Sequence, residues 1–250
     1  MKMDKMIHSS LTTMQGIMAR QTAIANNMAN ADTTGFRAEI VNAKARHLSS
    51  AEFDSRAIAY ERVFATDLTA ASVKKTDRSL DVALDGDAML SVLGDDGEPA
   101  YSRRGDLQLS ETGLVTTGAG DPVLGEAGPL IIPPSDKISI AKDGGVWILP
   151  QGDVDGEMQQ IDRLALVSFT SSDIIKGHDN LFRVRDDGVL PIDVDARLTA
   201  GALEGSNVNM TAALVDMIEA SRAWETQVKF LSTAKDIDSS GASLMQLPNS

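Results

Sequence analysis

The sequence predicts an α+β fold, in which long helices at the N- and C-termini pair in a coiled-coil-like core and an antiparallel, β-rich domain lies between them. Apolar residues recur every three or four positions at both ends of the chain, which is the spacing of helices that pack lengthwise against each other. The middle consists of short alternating segments separated by turns rich in glycine and aspartate. Because no helical segments alternate with these strands, a parallel sheet is not expected.

The N-terminal segment carries the first apolar seam, from about Asp4 to Asn30. A seam of this length indicates a helix with a partner along most of its length. Gly35 is a plausible stop signal beyond it, because glycine readily adopts positive φ. With Gln21 in one slot, the seam steps by four and three residues through Ile7, Leu11, Met14, Met18, Ala25 and Met28.

The C-terminal segment carries a matching seam. Asn209 or Thr211 can cap the start of this helix. The apolar period then predicts a second long helix with its own partner-facing side. Its positions are Leu214, Met217, Ser221, Trp224, Val228 and Leu231.

The chain between the two seams divides into a connector and a β-rich domain. We predict an N-terminal helix and turn over 1–35, a linker over 36–78, a β-rich domain over 79–200 and a C-terminal helix with its lead-in over 201–250. Residues 41–57 are compatible with a linker or a short helix. Strands are predicted at 58–64, 80–84, 88–93, 106–110, 113–117, 136–141, 145–149, 164–169 and 181–185.

Candidate catalytic and ligand-binding motifs are weak. The chain has no cysteine, which excludes disulfides and thiolate chemistry, and its three histidines occupy no metal-ligand motif. The glycine-rich 118–125 reads as a β-turn, and the acidic 84–87 and 153–157 do not fit a calcium loop. A net charge of −13 argues against nucleic acid. We therefore expect no enzyme, cofactor, metal or small-molecule substrate.

The N-terminus does not resemble a secretory signal, because polar residues interrupt its apolar run. No stretch approaches the roughly 20 apolar residues of a membrane-spanning helix. If the protein leaves the cytoplasm, we expect a route that leaves its N-terminus uncut.

Two long apolar seams around a β-rich middle leave two interpretations open. The seams could be buried among other copies in a tube or filament, because heterologous contacts that do not close generate helical arrays. The two helices could instead pair with each other within one molecule.

Several segments resemble one family. The stretch "ANNMANADTTGFRAE" (25–39) is similar to the N-terminal motif of the bacterial flagellar basal-body rod protein family, which comprises rod and hook axial proteins. Met28 and Arg37 stand where that family usually has Leu and Lys. The segments "GALEGSNVNMTAALVDMIEASRAWETQVK" (201–229), "SLDVALDGDAMLSV" (79–92) and "YSRRGDLQLSETGLVTTGAGDPVLG" (101–125) resemble its C-terminal motif and central β-domain.

The resemblance implies a structural subunit of the proximal rod, which transmits torque from motor to hook through its terminal helices. Its implied partners are copies of itself, other flagellar rod proteins and the flagellar type III export apparatus, and its implied location is the periplasmic rod of the basal body. The distal rod or a hook-type axial position is the alternative. A secreted β-rich enzyme or adhesin is a more remote alternative.

The polar end of the first helix has a possible assembly role. Asn26, Asn27 and Asn30 carry both donors and acceptors, so they could bond across subunit interfaces without burying charge. Gly35 would then allow the turn, and Phe36 would anchor the outgoing chain against the helix pair. The alternative is an exposed, frayed helix end.

Overall fold

The computed structural model describes residues 2–50, 53–152, 156–170, 173–185 and 188–245. Two helices, α1 (Lys2–Ala29) and α2 (Met210–Met245), lie at the two ends of this part of the chain. In α2, Asn209 caps the first turn, because its Oδ1 accepts from the Ala212 amide at 3.1 Å. Within the described residues, neither helix has an apolar stretch long enough to cross a bilayer.

Among the described residues, eighteen strands lie between the helices, and each of the nine predicted strand segments overlaps one of them. They are β1 (Glu39–Ser50), β2 (Phe53–Thr66), β3 (Val73–Lys75), β4 (Val82–Leu84), β5 (Ala88–Leu93), β6 (Pro99–Ser102), β7 (Gln108–Leu109), β8 (Val115–Thr116), β9 (Leu124–Gly125), β10 (Gly128–Pro129), β11 (Ser135–Ile140), β12 (Gly145–Pro150), β13 (Gln159–Arg163), β14 (Leu166–Ser168), β15 (Ile174–Lys176), β16 (Phe182–Val184), β17 (Leu198–Ala200) and β18 (Ala202–Glu204).

The chain forms two compact units. The first comprises Met1–Ala29, Glu39–Asp67 and Val208–Ser250, and it contains both helices and the antiparallel hairpin of β1 and β2. β1 covers residues that the sequence left open between a linker and a short helix. Its strand conformation depends on pairing with β2, a partner that local propensity does not reveal.

The second unit comprises Asn30–Ala38 and Leu68–Asn207. Its largest sheet has the order β14-β5-β6-β16-β15, and β11, β12 and β13 form a three-stranded sheet. The strand pairs between described residues are antiparallel, as predicted. β5 lies between two cores, because Leu90 and Val92 belong to the main apolar cluster and Met89 to a second one with Tyr101 and Phe182. This arrangement explains why β5 has little of the polar alternation of a half-exposed strand.

The predicted coiled-coil-like core is wrong. In α1, Leu11 and Met18 are 50% and 54% exposed, whereas Ile17 and Ile24 are buried. We call the buried side of α1 its buried row. Ile17 and Ile24 each lie one residue before a predicted seam position, and one residue corresponds to about 100° around a helix. Met14 and Met28, which belong to both rows, are half-buried.

The same displacement occurs in α2. Leu214 and Val228 are 47% and 45% exposed, whereas Ala213 and Ala220 are buried. Small side chains allow another element to approach closely, so the buried row follows the alanines rather than the large residues. The helices touch through an Arg20–Asp216 ion pair of 3.1 Å and a small cluster. That cluster comprises Ile24, Met28, Val208, Ala213, Met217 and Ala220. Among the described residues this limited contact replaces a lengthwise seam.

Candidate functional site

The two terminal motifs meet in the second unit. After α1 ends, the Thr33 amide donates to the Asn30 carbonyl at 3.1 Å, and Gly35 follows with φ of +67°. The Gly35 amide donates to the backbone carbonyl of Glu204 at 2.8 Å. A Cβ at Gly35 would lie 2.4 Å from the carbonyl oxygen of Arg103. Glycine is therefore required here both by its backbone conformation and by the close approach of another segment.

A buried ion cluster holds these motifs together. The Glu204 carboxylate accepts from Arg37 Nη2 at 2.7 Å, from Arg103 Nε at 2.8 Å and from the Ala71 amide at 2.9 Å. The three charged residues are each at most 3% exposed. Charges so far from water persist only when they are paired and hydrogen-bonded, so this cluster depends on all three members.

Arg103 is also the anchor of a backbone loop. Its Nη1 donates to the carbonyls of Gly86 and Ala88 at 2.7 and 2.8 Å, and its Nη2 donates to the Leu84 carbonyl at 2.7 Å. These bonds satisfy the guanidinium and tie the turn between β4 and β5 to the cluster. The central segment of the chain thus binds Glu204 of the C-terminal motif through one side chain.

The environment keeps Glu204 ionised. Burial disfavours the carboxylate and acts to raise its pKa. The Ala71 amide and the Arg37 and Arg103 guanidinium groups oppose that effect, and the pKa lies below its ordinary value of 4.5. Burial lowers the pKa of Arg103, and the charge of Glu204 opposes this shift.

Asn207 adds a second set of bonds beside the ion cluster. Its side-chain Oδ1 accepts from the Ala38 amide at 2.7 Å, and its backbone N–H donates to the Phe36 carbonyl at 3.3 Å. We call the bonds that join residues 35–38 to residues 204–207 the clasp. Because it uses both backbone and side-chain groups, the clasp fixes the register between two segments far apart in sequence.

Phe36 is buried in the second unit, beside the clasp. The Lys176 ammonium lies 3.6 Å from the centroid of its ring and donates to the Arg37 carbonyl at 3.0 Å. This geometry is a cation–π contact, and it attaches β15 to the turn.

The asparagines near the end of α1 bond within the chain. In the first unit, Asn27 donates to the Glu39 carbonyl at 2.9 Å and accepts from the Glu39 amide at 2.8 Å. Asn26 donates to the Glu39 carboxylate at 2.6 Å. In the second unit, Asn30 Oδ1 accepts from the Thr33 hydroxyl at 3.1 Å. The asparagines thus pair with the start of β1 and with the turn, and a role between subunits stays a prediction.

The remaining predicted residues lie on the two helices. Leu11, Met18, Leu214 and Val228 are exposed. Ile7 lies in α1, but its side chain is outside the described residues, as are residues 153–155 of the acidic segment 153–157. The described part of the chain contains no cluster of three or more potential metal ligands. The predicted seam residues that are half-buried are Met14, Met28, Met217, Trp224 and Leu231.

Sequence reasoning missed the three residues of the buried ion cluster and Asn207 of the clasp. Arg37, Arg103 and Glu204 look like ordinary surface charges in the sequence, and Asn207 looks like a loop residue. The available signal was their position, since each lies within a segment that resembles the family. A charge beside a required glycine or a buried strand is a candidate for a buried pair.

Three family models match the chain and together cover both clasp motifs. "Flagella basal body rod protein" matches residues 9–37, and "Flagellar hook protein FlgE/F/G D1 domain" matches residues 83–148. "Flagellar basal body rod FlgEFG protein C-terminal" matches residues 199–244. The class defined by this fold and these matches is a structural protein of the bacterial flagellum.

Full-length relatives specify the family. The chain is 36% identical over 240 residues to the flagellar basal-body rod protein FlgF of Escherichia coli strain K12, covering 94% of this chain and 95% of the relative. It is 32% identical to FlgF of Salmonella typhimurium, covering 98% and 100%. It is 31% identical to the flagellar basal-body rod protein FlgG of Bacillus subtilis, covering 92% and 95%. The chain belongs to the flagellar basal-body rod protein family, as a FlgF-like rod protein, and is a structural protein rather than an enzyme.

Proposed function

We propose that this rod subunit joins its neighbours through the exposed apolar faces of α1 and α2 and, in the proximal rod, transmits torque from motor to hook. The observation that carries the proposal is the exposure of large apolar side chains on these helices. They are Leu11, Met18, Leu214, Val215, Ile218, Val228, Phe230 and Ile237. Burying one such side chain fully contributes roughly 1.5–3 kcal/mol, so a set of this size favours a protein partner over water.

The occupants of these faces are terminal helices of other subunits, both copies of this chain and other rod proteins. The family models match both helices, at residues 9–37 and 199–244. A helix with one row packed inside its own molecule and a second apolar row facing outward can contact two neighbours. Repeated heterologous contacts of this kind build a rod.

The clasp supports the mechanical part of the proposal. Torque transmission requires connections that do not yield under load. In the second unit, the segments that follow α1 and precede α2 are joined by the Arg37–Glu204 pair and by Asn207. A densely packed joint with a paired buried charge resists shear better than a solvated linker.

A charge in the exposed apolar row tests the proposal. We expect Leu11→Asp to abolish swimming and rod completion, while the purified variant keeps the circular dichroism and unfolding midpoint of the parent. Gln15→Asp is the matched control, because it places the same charge at an exposed polar position of α1. Normal motility and complete basal bodies with Leu11→Asp would contradict the assembly face.

The proximal position is tested by location. FlgF relatives support it, and the FlgG relative makes the distal rod the competing assignment. Labelling the protein in purified basal bodies at a surface residue such as Lys137 should place it at the motor end of the rod. Label at the hook end would support the distal or hook-type assignment instead.

We also infer that the chain reaches the periplasmic rod through the flagellar type III export apparatus without cleavage. The support is that α1, which would be lost with a cleaved leader, carries part of the proposed assembly face. Mass spectrometry of the protein from basal bodies should find residues 2–20 intact. Their removal in assembled rods would overturn this route.

A further inference from the structure

Methionine is concentrated on α1. Five of the 11 methionines of the chain lie in this helix, which contains 28 of the 250 residues. They are Met3, Met6, Met14, Met18 and Met28. The unbranched thioether adapts to irregular contact surfaces, but it is also an apolar side chain that oxidants convert into a polar one.

The methionines differ in their access to solvent. Among those whose side chains the structure describes, Met18 and Met210 are exposed, at 54% and 40%. Met14 and Met28 are half-buried, whereas Met89 in β5 is completely buried in the second unit. Because an oxidant must reach the sulfur, we expect Met18 to react first among the described methionine side chains of α1.

Met18 belongs to the proposed assembly face. It lies seven residues after Leu11, and about two turns of helix bring the two side chains to nearly the same side of α1. The preceding residue, Ile17, is buried. A change at the Met18 sulfur therefore alters the side of α1 that is free in the isolated subunit and leaves the buried row intact.

We propose that Met18 is an oxidation site at which hydrogen peroxide switches off the assembly face of α1, an inference that rests on the proposed function of that face. The sulfur attacks one peroxide oxygen, the O–O bond breaks, an S–O bond forms and water leaves. The sulfur is oxidised to a sulfoxide and the peroxide is reduced. Burying the polar sulfoxide without a partner should weaken the subunit contact about tenfold or more.

Peroxide footprinting tests the reactivity of the site. Full-length protein and purified basal bodies are treated with dilute hydrogen peroxide, and their methionine peptides are measured by mass spectrometry. In the free protein Met18 should become sulfoxide while Met89 stays unmodified, and in basal bodies Met18 should be protected. Resistance of Met18 in the free protein overturns the proposal. Equal reactivity in both samples overturns it as well, because the face would then not be buried in the rod.

Variants in cells test the consequence of oxidation. Rod completion is scored as the ratio between cells grown with and without sublethal hydrogen peroxide, so that the basal level of each strain cancels. The ratio should fall in the parent and stay unchanged in Met18→Leu, which lacks the sulfur. Met210→Leu is the matched control, because it removes the other exposed methionine, and its ratio should fall as in the parent. An equal fall in both leucine variants overturns the proposal.

Met18→Gln separates this inference from the proposed function. Glutamine places a polar group near the position of the sulfoxide oxygen, so we expect this variant to lose rods without any peroxide. Complete rods in both Met18→Gln and Leu11→Asp would overturn the assembly face together with the switch. Complete rods in Met18→Gln, with rods lost in Leu11→Asp, would overturn the oxidation switch alone.

Discussion

Arg37 Nη2 lies 2.7 Å from Glu204 Oε1, and this bond joins positions 167 residues apart. It brings the segment after the first helix into contact with the segment before the last one. Since Arg103 binds the other carboxylate oxygen, the central segment is included as well. Closing a loop of this length costs conformational entropy, which the buried pairing of the folded second unit must offset.

Removing the carboxylate should destabilise the second unit strongly. Glu204→Gln leaves two buried guanidinium groups without a counter-charge, and we expect the free energy of unfolding to fall by about 3–5 kcal/mol. Urea denaturation measures this change. Asp173→Asn is the control, because it breaks an exposed pair with Arg185 that contributes about 0–1 kcal/mol. Equal losses in the two variants would contradict the role of burial.

Stability should fall in acid because of the same residue. The folded-state pKa of Glu204 is depressed, since its amide and guanidinium partners outweigh the effect of burial. Its contribution is therefore complete above the unfolded pKa near 4.5 and is lost as pH falls through the lower folded value. Unfolding free energies measured from pH 7 to 3 should decline more steeply in the parent than in Glu204→Gln. Parallel curves would show that Glu204 is not the titrating group.

Gly35 should tolerate no side chain. Gly35→Ala combines positive φ with a Cβ 2.4 Å from the Arg103 carbonyl oxygen. Gly97→Ala is the matched control, because Gly97 has φ of +79° and open space around its Cβ position. We expect a loss of about 1 kcal/mol for the control and at least about 2 kcal/mol more for Gly35→Ala. Gly35→Val should be worse still. Similar unfolding midpoints for both alanine variants would mean that the close approach is unimportant.

The helices should be the least protected elements of the isolated subunit. Their outward apolar rows gain little in a dilute monomer, and helix stability comes mainly from packing. In amide hydrogen exchange at low protein concentration, residues 5–30 should exchange much faster than β5. Protection over 5–30 that equals that of β5 would count against ordering on assembly.

The strands and the class of protein could be predicted because their signals are local. Turns rich in glycine and aspartate separate short alternating segments, and each of these overlaps an observed strand. β1 could not be predicted, since it depends on its pairing with β2. Only one side of the clasp could be predicted from the sequence. Gly35 indicates a turn, whereas nothing near Glu204 indicates a partner as distant as Arg37.

The sequence by itself determined that both ends are helical, that the middle is antiparallel β-structure and that the chain resembles flagellar rod proteins. Only the tertiary structure decided which row of each helix is buried. It placed Ala213 and Ala220 inside and Leu214 outside, because close approach favours small side chains over greater hydrophobicity. It also decided that Arg37, Arg103 and Glu204 are buried together, because a charge can leave water only where a folded chain supplies its counter-charge.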